Sequence, residues 1–148
     1  MARSRGSGND NRKIADVMTP DPIVVDQSAR VDEVARLMRD RDIGDVLVTD
    51  GQRLCGIATD RDLVVRYLAE PSSELSSISA FCSNDLVTVT PSTTETEAAQ
   101  IMRDRALRRL PVVENGGTPV GIVTIGDLAV DMAPKSVLAG ISQAPPNG

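Results

Sequence analysis

One segment of this chain is written twice, and that duplication limits what the chain can fold into. Met-Arg-Asp-Arg occupies Met38 to Arg41 and recurs 64 residues later at Met102 to Arg105. Gly-Ile-x-Thr-x-x-Asp-Leu runs from Gly56 to Leu63 and recurs 65 residues later, from Gly121 to Leu128. The second copy therefore holds one extra residue between the two landmarks, most simply in the turn Asn115-Gly116-Gly117. A fixed internal period means one supersecondary unit used twice, and turns are where a unit tolerates insertion. A lone unit of about 60 residues would bury only about 60% of its unfolded surface, which is marginal. The two units are therefore expected to pack face to face with pseudo-twofold symmetry. That packing would leave two clefts at the seam, each lined by strand ends and a helix start.

Both copies read alike at the level of elements. A short lead (Ile14 to Met18; Leu75 to Cys82) precedes an extended apolar segment, Pro22 to Val25 or Leu86 to Thr90. A helix follows, with Val31, Val34, Ala35 and Met38 on one face in the first copy. In the second, Ser92-Thr93-Thr94-Glu95 reads as a capping box ahead of Ala98, Ile101 and Met102. Two strands come next, Asp45 to Thr49 and Leu54 to Ala58, around an Asp50-Gly51 turn. Their counterparts are Leu110 to Val113 and Val120 to Val123. A second helix closes each copy, from Asp60 to about Ala69 and from Ile125 to about Ala133, with Pro71 and Pro134 as stops. The fold class is α+β, a β-α-β-β-α unit twice. The expected organisation is a disordered N-terminal tail at 1–10, repeats at 11–71 and 72–134, and a C-terminal tail at 135–148 that is disordered on composition from Ala144 on.

Composition removes whole classes of chemistry. The 148 residues include no histidine, which excludes Ser-His-Asp and Cys-His catalysis, His-ligated zinc and an imidazole switch. Tyr67 and Phe81 are the only aromatic residues, so there is no platform for stacking single-stranded bases. A net charge of −5 supplies no basic face for duplex nucleic acid. Cys55 and Cys82, 27 residues apart, belong to no metal-ligand spacing and read as two free thiols in a reducing compartment. The first residues carry arginines without an apolar stretch after them, and no window is long and apolar enough to span a membrane. The expected compartment is the cytoplasm. Asp40, Asp42 and Asp45 fail as an EF-hand loop, because the sixth and twelfth positions are Asp45 and Gly51.

Thr59-x-x-Asp62 and Thr124-x-x-Asp127 fall where a strand turns into a helix. On the residues alone two roles are open. Threonine with aspartate three residues on is a capping pair that satisfies orphan helix amides. A carboxylate at a cleft also accepts both hydroxyls of a ribose, while threonine and helix-start amides face phosphate. The second helices are apolar nearly all round: Leu63, Val64, Val65, Tyr67 and Leu68 in one copy, Leu128, Ala129, Val130 and Met132 in the other. A chain this small covers one side of such a helix, so the other side is expected to meet a partner.

The tandem arrangement, with Val17-Met18-Thr19-Pro20 before the first strand and Gly-Ile-x-Thr-x-x-Asp-Leu closing each copy, resembles the CBS domain pair, or Bateman module. The resemblance implies an adenine nucleotide as regulatory ligand, with Asp62 or Asp127 on the ribose and Thr59 or Thr124 near ribose or phosphate. It implies an apolar adenine slot made by Ile23, Val25, Thr88, Val89, Val46 and Pro111. Arg108, three residues before Pro111, falls where the family often places a phosphate-binding cation, and Arg109 adjoins it. Gly44 and Asp45 stand there in the first copy, so the clefts are expected to differ; Arg61 is that copy's candidate cation. The resemblance also implies a homodimer through the second helices.

The expected function is a stand-alone regulatory module that binds an AMP- or ATP-like nucleotide, signals through its dimer to an effector protein, needs no metal and catalyses nothing. The alternative is a ligand-free interaction or scaffold protein in which both Thr-x-x-Asp motifs only cap helices.

Overall fold

Thr59 and Thr124 each end a strand and cap the helix that follows it. A computed structural model of the chain describes residues 12–69, 77–83 and 85–131. In chain order its elements are α1 (Ile14–Val17), β1 (Thr19–Pro20), β2 (Val24–Asp26), α2 (Val31–Arg41), β3 (Asp45–Asp50) and β4 (Arg53–Thr59). There follow α3, the helical turn Asp60–Asp62 together with the π-helical segment Leu63–Leu68 that continues it, and a 3-10 turn (Ile78–Phe81). The rest is α4 (Glu95–Arg105), β5 (Arg109–Glu114), β6 (Thr118–Thr124) and α5 (Ile125–Asp131). Two repeats of strands and helices make a mixed α+β fold. The expected tails, Leu75, Pro71, Pro134, Met132 and the side chains of Ala129 and Val130 lie outside the described residues.

The chain forms two compact units. One is built from 21–87 with the hairpin tip 113–120. Its sheet has the order β2-β3-β4, β2 parallel to β3 and β3 antiparallel to β4. Val31, Val34 and Met38 of α2 pack there with Val46, Val48, Ala58, Leu63, Ile78 and Phe81. The Gly51 turn between β3 and β4 forms as expected, with Gly51 at φ 69°. The other unit holds 12–20, 88–112 and 121–131 of the described chain, with the sheet order β1-β6-β5. It buries Ile14, Val89, Ala98, Met102, Leu110, Val112, Ile122, Val123 and Leu128.

Each lead completes the unit that holds the other repeat's first helix. Ile78 N–H donates to Ala29 O at 2.8 Å, and Ser77 bridges Arg30. The same pattern recurs 64 residues apart: Ile14 N–H donates to Thr93 O at 2.8 Å, and Lys13 bridges Thr94. Both isoleucines are fully buried. The leads also cross the last strand of each unit closely. A Cβ on Gly56 would overlap the Phe81 carbonyl, and one on Gly121 would overlap Met18.

Several expectations shift. The first strand forms at Val24–Asp26 rather than Pro22 to Val25, because β2 takes its register from β3. Its expected counterpart, Leu86 to Thr90, contributes one bridge, Val89 to Val112, among the described residues. Ala35 is exposed on α2, and Leu37 packs against the core. The capping box of α4 is Thr94 with Glu97, not Ser92 with Glu95. Glu95 is instead fully buried, its amide donating to Arg12 O at 2.9 Å and its carboxylate paired with the Arg12 guanidinium at 2.9 Å. The second helix of the first repeat begins at Asp60 as expected but widens after Asp62, where Ala69 N–H reaches back five residues to Val64 O.

Candidate functional site

The two strand-to-helix turns are built alike. Thr59 ends β4 in an extended conformation, its amide donating to Asp62 Oδ2 at 3.1 Å and its hydroxyl accepting the Asp62 amide at 3.1 Å. Thr124 ends β6, its amide donating to Asp127 Oδ2 at 2.9 Å and its hydroxyl accepting the Asp127 amide at 3.2 Å. The capping role read from the residues is therefore present in both repeats. It engages one oxygen of each carboxylate, and a carboxylate accepts about four hydrogen bonds. Capping and recognition of a ribose are thus compatible in the same side chain.

What stands beside each turn differs. The first helical amide after each strand donates across to the loop before the neighbouring strand: Asp60 N–H to Gly44 O at 3.0 Å, and Ile125 N–H to Arg108 O at 2.8 Å. Gly44 and Arg108 are therefore structural equivalents, as their spacing of 64 predicts. The Asp60 carboxylate lies over Gly44, 3.6 Å from where a Cβ would be, and also accepts the Arg61 amide at 2.7 Å. The first turn thus assembles Asp45, Asp60 and Asp62, with an exposed Arg61; the second assembles Arg108, Arg109 and Asp127. The second turn thus carries more basic side chains than the first.

The apolar candidates divide the same way. Ile23 and Val25 pack on the core of the first repeat's unit, where Val46 is buried and Ile23 O accepts the Leu47 amide at 2.9 Å. In the other unit Val89 is buried and its amide donates to Pro111 O at 3.1 Å, with Thr88 partly buried beside it. Core packing therefore accounts for these residues whatever else they do. A separate groove of about 550 Å³ runs between α2 and α3, lined by Val31, Ala35, Ile43, Val64, Tyr67 and Leu68 among others. It contains none of the residues predicted to hold a nucleotide. Among the described residues no group of His, Cys, Asp or Glu is placed to hold a metal ion.

Free thiols were the expectation for Cys55 and Cys82, and the structure overturns it: the two form a disulfide, with Cα atoms 4.8 Å apart. The lead of the second repeat crosses β4, where Cys82 bridges Gly56 and the Ser83 amide donates to Cys55 O at 2.9 Å. The signal in the sequence was positional, since each cysteine adjoins a landmark of the repeat. Spacing alone could not show that those landmarks meet.

The model that describes the CBS domain matches residues 14–69 and again 77–133. The chain belongs to the CBS-domain family. The CBS domain-containing protein YhcV of Bacillus subtilis (strain 168) is 34% identical over 118 residues, 80% of this chain and 84% of that protein. The solved structure of CBSX2 in complex with AMP has a TM-score of 0.70 at 24% identity, covering 89% of this chain and 99% of that one. The CBS domain pair of MJ0100, in complex with 5-methylthioadenosine and S-adenosyl-L-methionine, has a TM-score of 0.68 at 20% identity over 88% of this chain and 98% of that one. The CBS fold is thus shared along nearly the whole described chain. No described helix is long and apolar enough to cross a membrane.

Proposed function

We propose that this CBS-domain protein is a regulatory module that binds an adenine nucleotide chiefly through its second repeat and catalyses nothing. The observation that carries this reading is the pairing of Arg108 with the Thr124-Asp127 turn through the Ile125 amide at 2.8 Å. A carboxylate suited to ribose hydroxyls and a guanidinium suited to phosphate then belong to one strand end. Asp127 and Thr124 are assigned to the ribose side, Arg108 and Arg109 to phosphate, and Thr88, Val89 and Pro111 to the base. Thr59, Asp62, Ile23, Val25 and Val46 make the weaker counterpart in the first repeat, with Arg61 as its cation. Proteins of this fold that hold AMP, or methylthioadenosine and S-adenosylmethionine, support an adenosyl ligand.

Occupancy is read out by a homodimer through the second helices, acting on an effector protein in the cytoplasm. Val64, Val65 and Leu68 are 54%, 51% and 66% exposed, a large apolar area for a helix to leave in water. The adjoining groove carries Asp32, Asp42 and Asp60 together with Arg36 and Arg39. A twofold contact is isologous, so an acidic residue of one copy that meets a basic residue of the other is matched by the same pair in reverse.

Titration calorimetry of AMP, ATP and S-adenosylmethionine into the purified chain, beside Asp127→Ala, tests the assignment. Saturable binding that the variant loses is expected. A folded protein that takes none of the three would leave the ligand-free scaffold, which the completed caps on both threonines favour.

A further inference from the structure

We propose that the Cys55–Cys82 disulfide is a redox-operated clasp, opened by a dithiol and closed by exchange with the disulfide form of that dithiol, that governs how firmly residues 77–83 and the outer face of α3 are held.

The repeat supplies an internal control. By the 64- and 65-residue offsets, the counterparts of Cys82 and Cys55 are Met18 and Val120. The other unit makes the same crossing there, Gly121 lying against Met18 as Gly56 lies against Phe81 and Cys82. That crossing carries no covalent bond, so the architecture closes without one. The bond in the first repeat's unit is therefore an addition to a joint that already stands on other contacts. These are the Ser83 amide on Cys55 O at 2.9 Å, the Ile78 amide on Ala29 O at 2.8 Å, and the burial of Ile78 and Phe81. A bond whose loss leaves a complete joint can be made and broken in the folded protein, and both cysteines are only partly buried.

The clasp reaches α3 through one side chain. Arg66 donates to Ala80 O at 3.1 Å and lies over the Phe81 ring at 4.6 Å from its centre. The neighbouring positions Val64, Val65 and Leu68 are the exposed apolar ones. Loosening 77–83 therefore loosens the anchor of Arg66 and with it the face that α3 presents. In opening, one thiolate of the dithiol attacks a sulfur of the disulfide and displaces the other as thiolate. The dithiol's second thiolate then attacks the dithiol's own sulfur in the mixed disulfide and releases the remaining cysteine as thiolate, so the dithiol leaves as its internal disulfide, and two electrons and two protons reside on Cys55 and Cys82. Gln27 Oε1, 3.7 Å from Cys82 Sγ, is placed to accept a hydrogen bond from the new thiol.

The test is peptide-level hydrogen exchange on the full chain, oxidised and after dithiothreitol, with thiols counted by alkylation and mass spectrometry. Two thiols should appear on reduction, with exchange at least about tenfold faster over 77–83 and faster over 60–69, and unchanged over 14–20. The variant Cys55→Val/Cys82→Met, which copies the other repeat, should exchange at one rate with or without dithiol. Equal exchange in the two redox states of the natural chain, failure of oxidation to join the cysteines, or global unfolding on reduction would each overturn the clasp. None of these readouts involves a nucleotide, so the outcome is independent of the ligand reading.

Discussion

The carboxylate of Glu95, which has no exposed surface, is held 2.9 Å from the guanidinium of Arg12, which remains partly open to water. The corresponding helix start in the first repeat places Val31 at this position, also buried. One repeat thus fills the site with an apolar side chain and the other with an ion pair to the lead. Removing one partner of a buried pair costs about 3–5 kcal/mol, because the remaining charge loses its compensation. Partial solvent access at Arg12 puts Arg12→Ala at the low end of that range. Arg12→Met with Glu95→Val, which puts the first repeat's valine at position 95 and removes the charge at position 12, should recover most of the loss in urea unfolding. A double variant no better than Arg12→Ala would sink this account.

The two roles assigned to Asp127 separate under substitution. Asp127→Asn retains an oxygen to accept the Thr124 amide, bonded at 2.9 Å in the native turn, but loses the charge that favours ribose hydroxyls and the helix start. Its expected stability loss is within about 1 kcal/mol, while affinity for AMP falls at least about tenfold. Equal affinity in the variant and the natural chain would reduce Asp127 to a cap.

Ala106 ends α4 in the left-handed region at φ 57°, where a side chain is disfavoured. Glycine is free of that cost but brings more chain entropy to the unfolded state. The balance predicts that Ala106→Gly stabilises the protein by about 0.5–1 kcal/mol. A thermal melt at or below the natural midpoint would contradict it.

Acid should weaken the fold through specific carboxylates. The Thr94 amide and then its hydroxyl hold Glu97 below its usual 4.5, and the Ser28 hydroxyl and amide hold Asp26 below its usual 3.8. The folded chain therefore releases these protons more readily than the unfolded chain. Their contribution is complete above about 4.5 and is lost as pH falls through the lowered folded values. With no imidazole in the chain, side-chain titration contributes little slope between pH 5 and 8. Stability measured by urea against pH should be level there and fall below about 4.5, less steeply in Glu97→Gln. An acid limb of unchanged slope in that variant would remove Glu97 from the explanation.

The duplication made most of the fold legible, since matching residues 64 or 65 apart announced matching strands, turns and helices. The Thr-x-x-Asp caps and the contrast of Gly44 with Arg108 were readable for the same reason: both depend on neighbours close in sequence or related by the period. What stayed hidden depends on contacts the period does not encode. Ser92-Thr93-Thr94-Glu95 satisfied a local capping rule, yet Glu95 answers to Arg12, more than eighty residues away. The cysteines looked unpaired because nothing local says that the second lead crosses β4. The π-helical segment after Asp62 was invisible too, because a widened turn and an α-turn are written in the same apolar residues.

The seating of Ile14 beneath Thr93 and of Ile78 beneath Ala29 gives the two halves of the chain a mutual debt. Cut between the repeats, the chain would yield two fragments, each carrying the plug for the other's core and lacking its own. A fragment that begins after residue 76 would leave open the space that Ile14 fills, and adding a second copy of the same fragment would offer Ile78 as the replacement. Each lead is therefore spent on the core that holds the other repeat's first helix, and neither half carries a complete core alone.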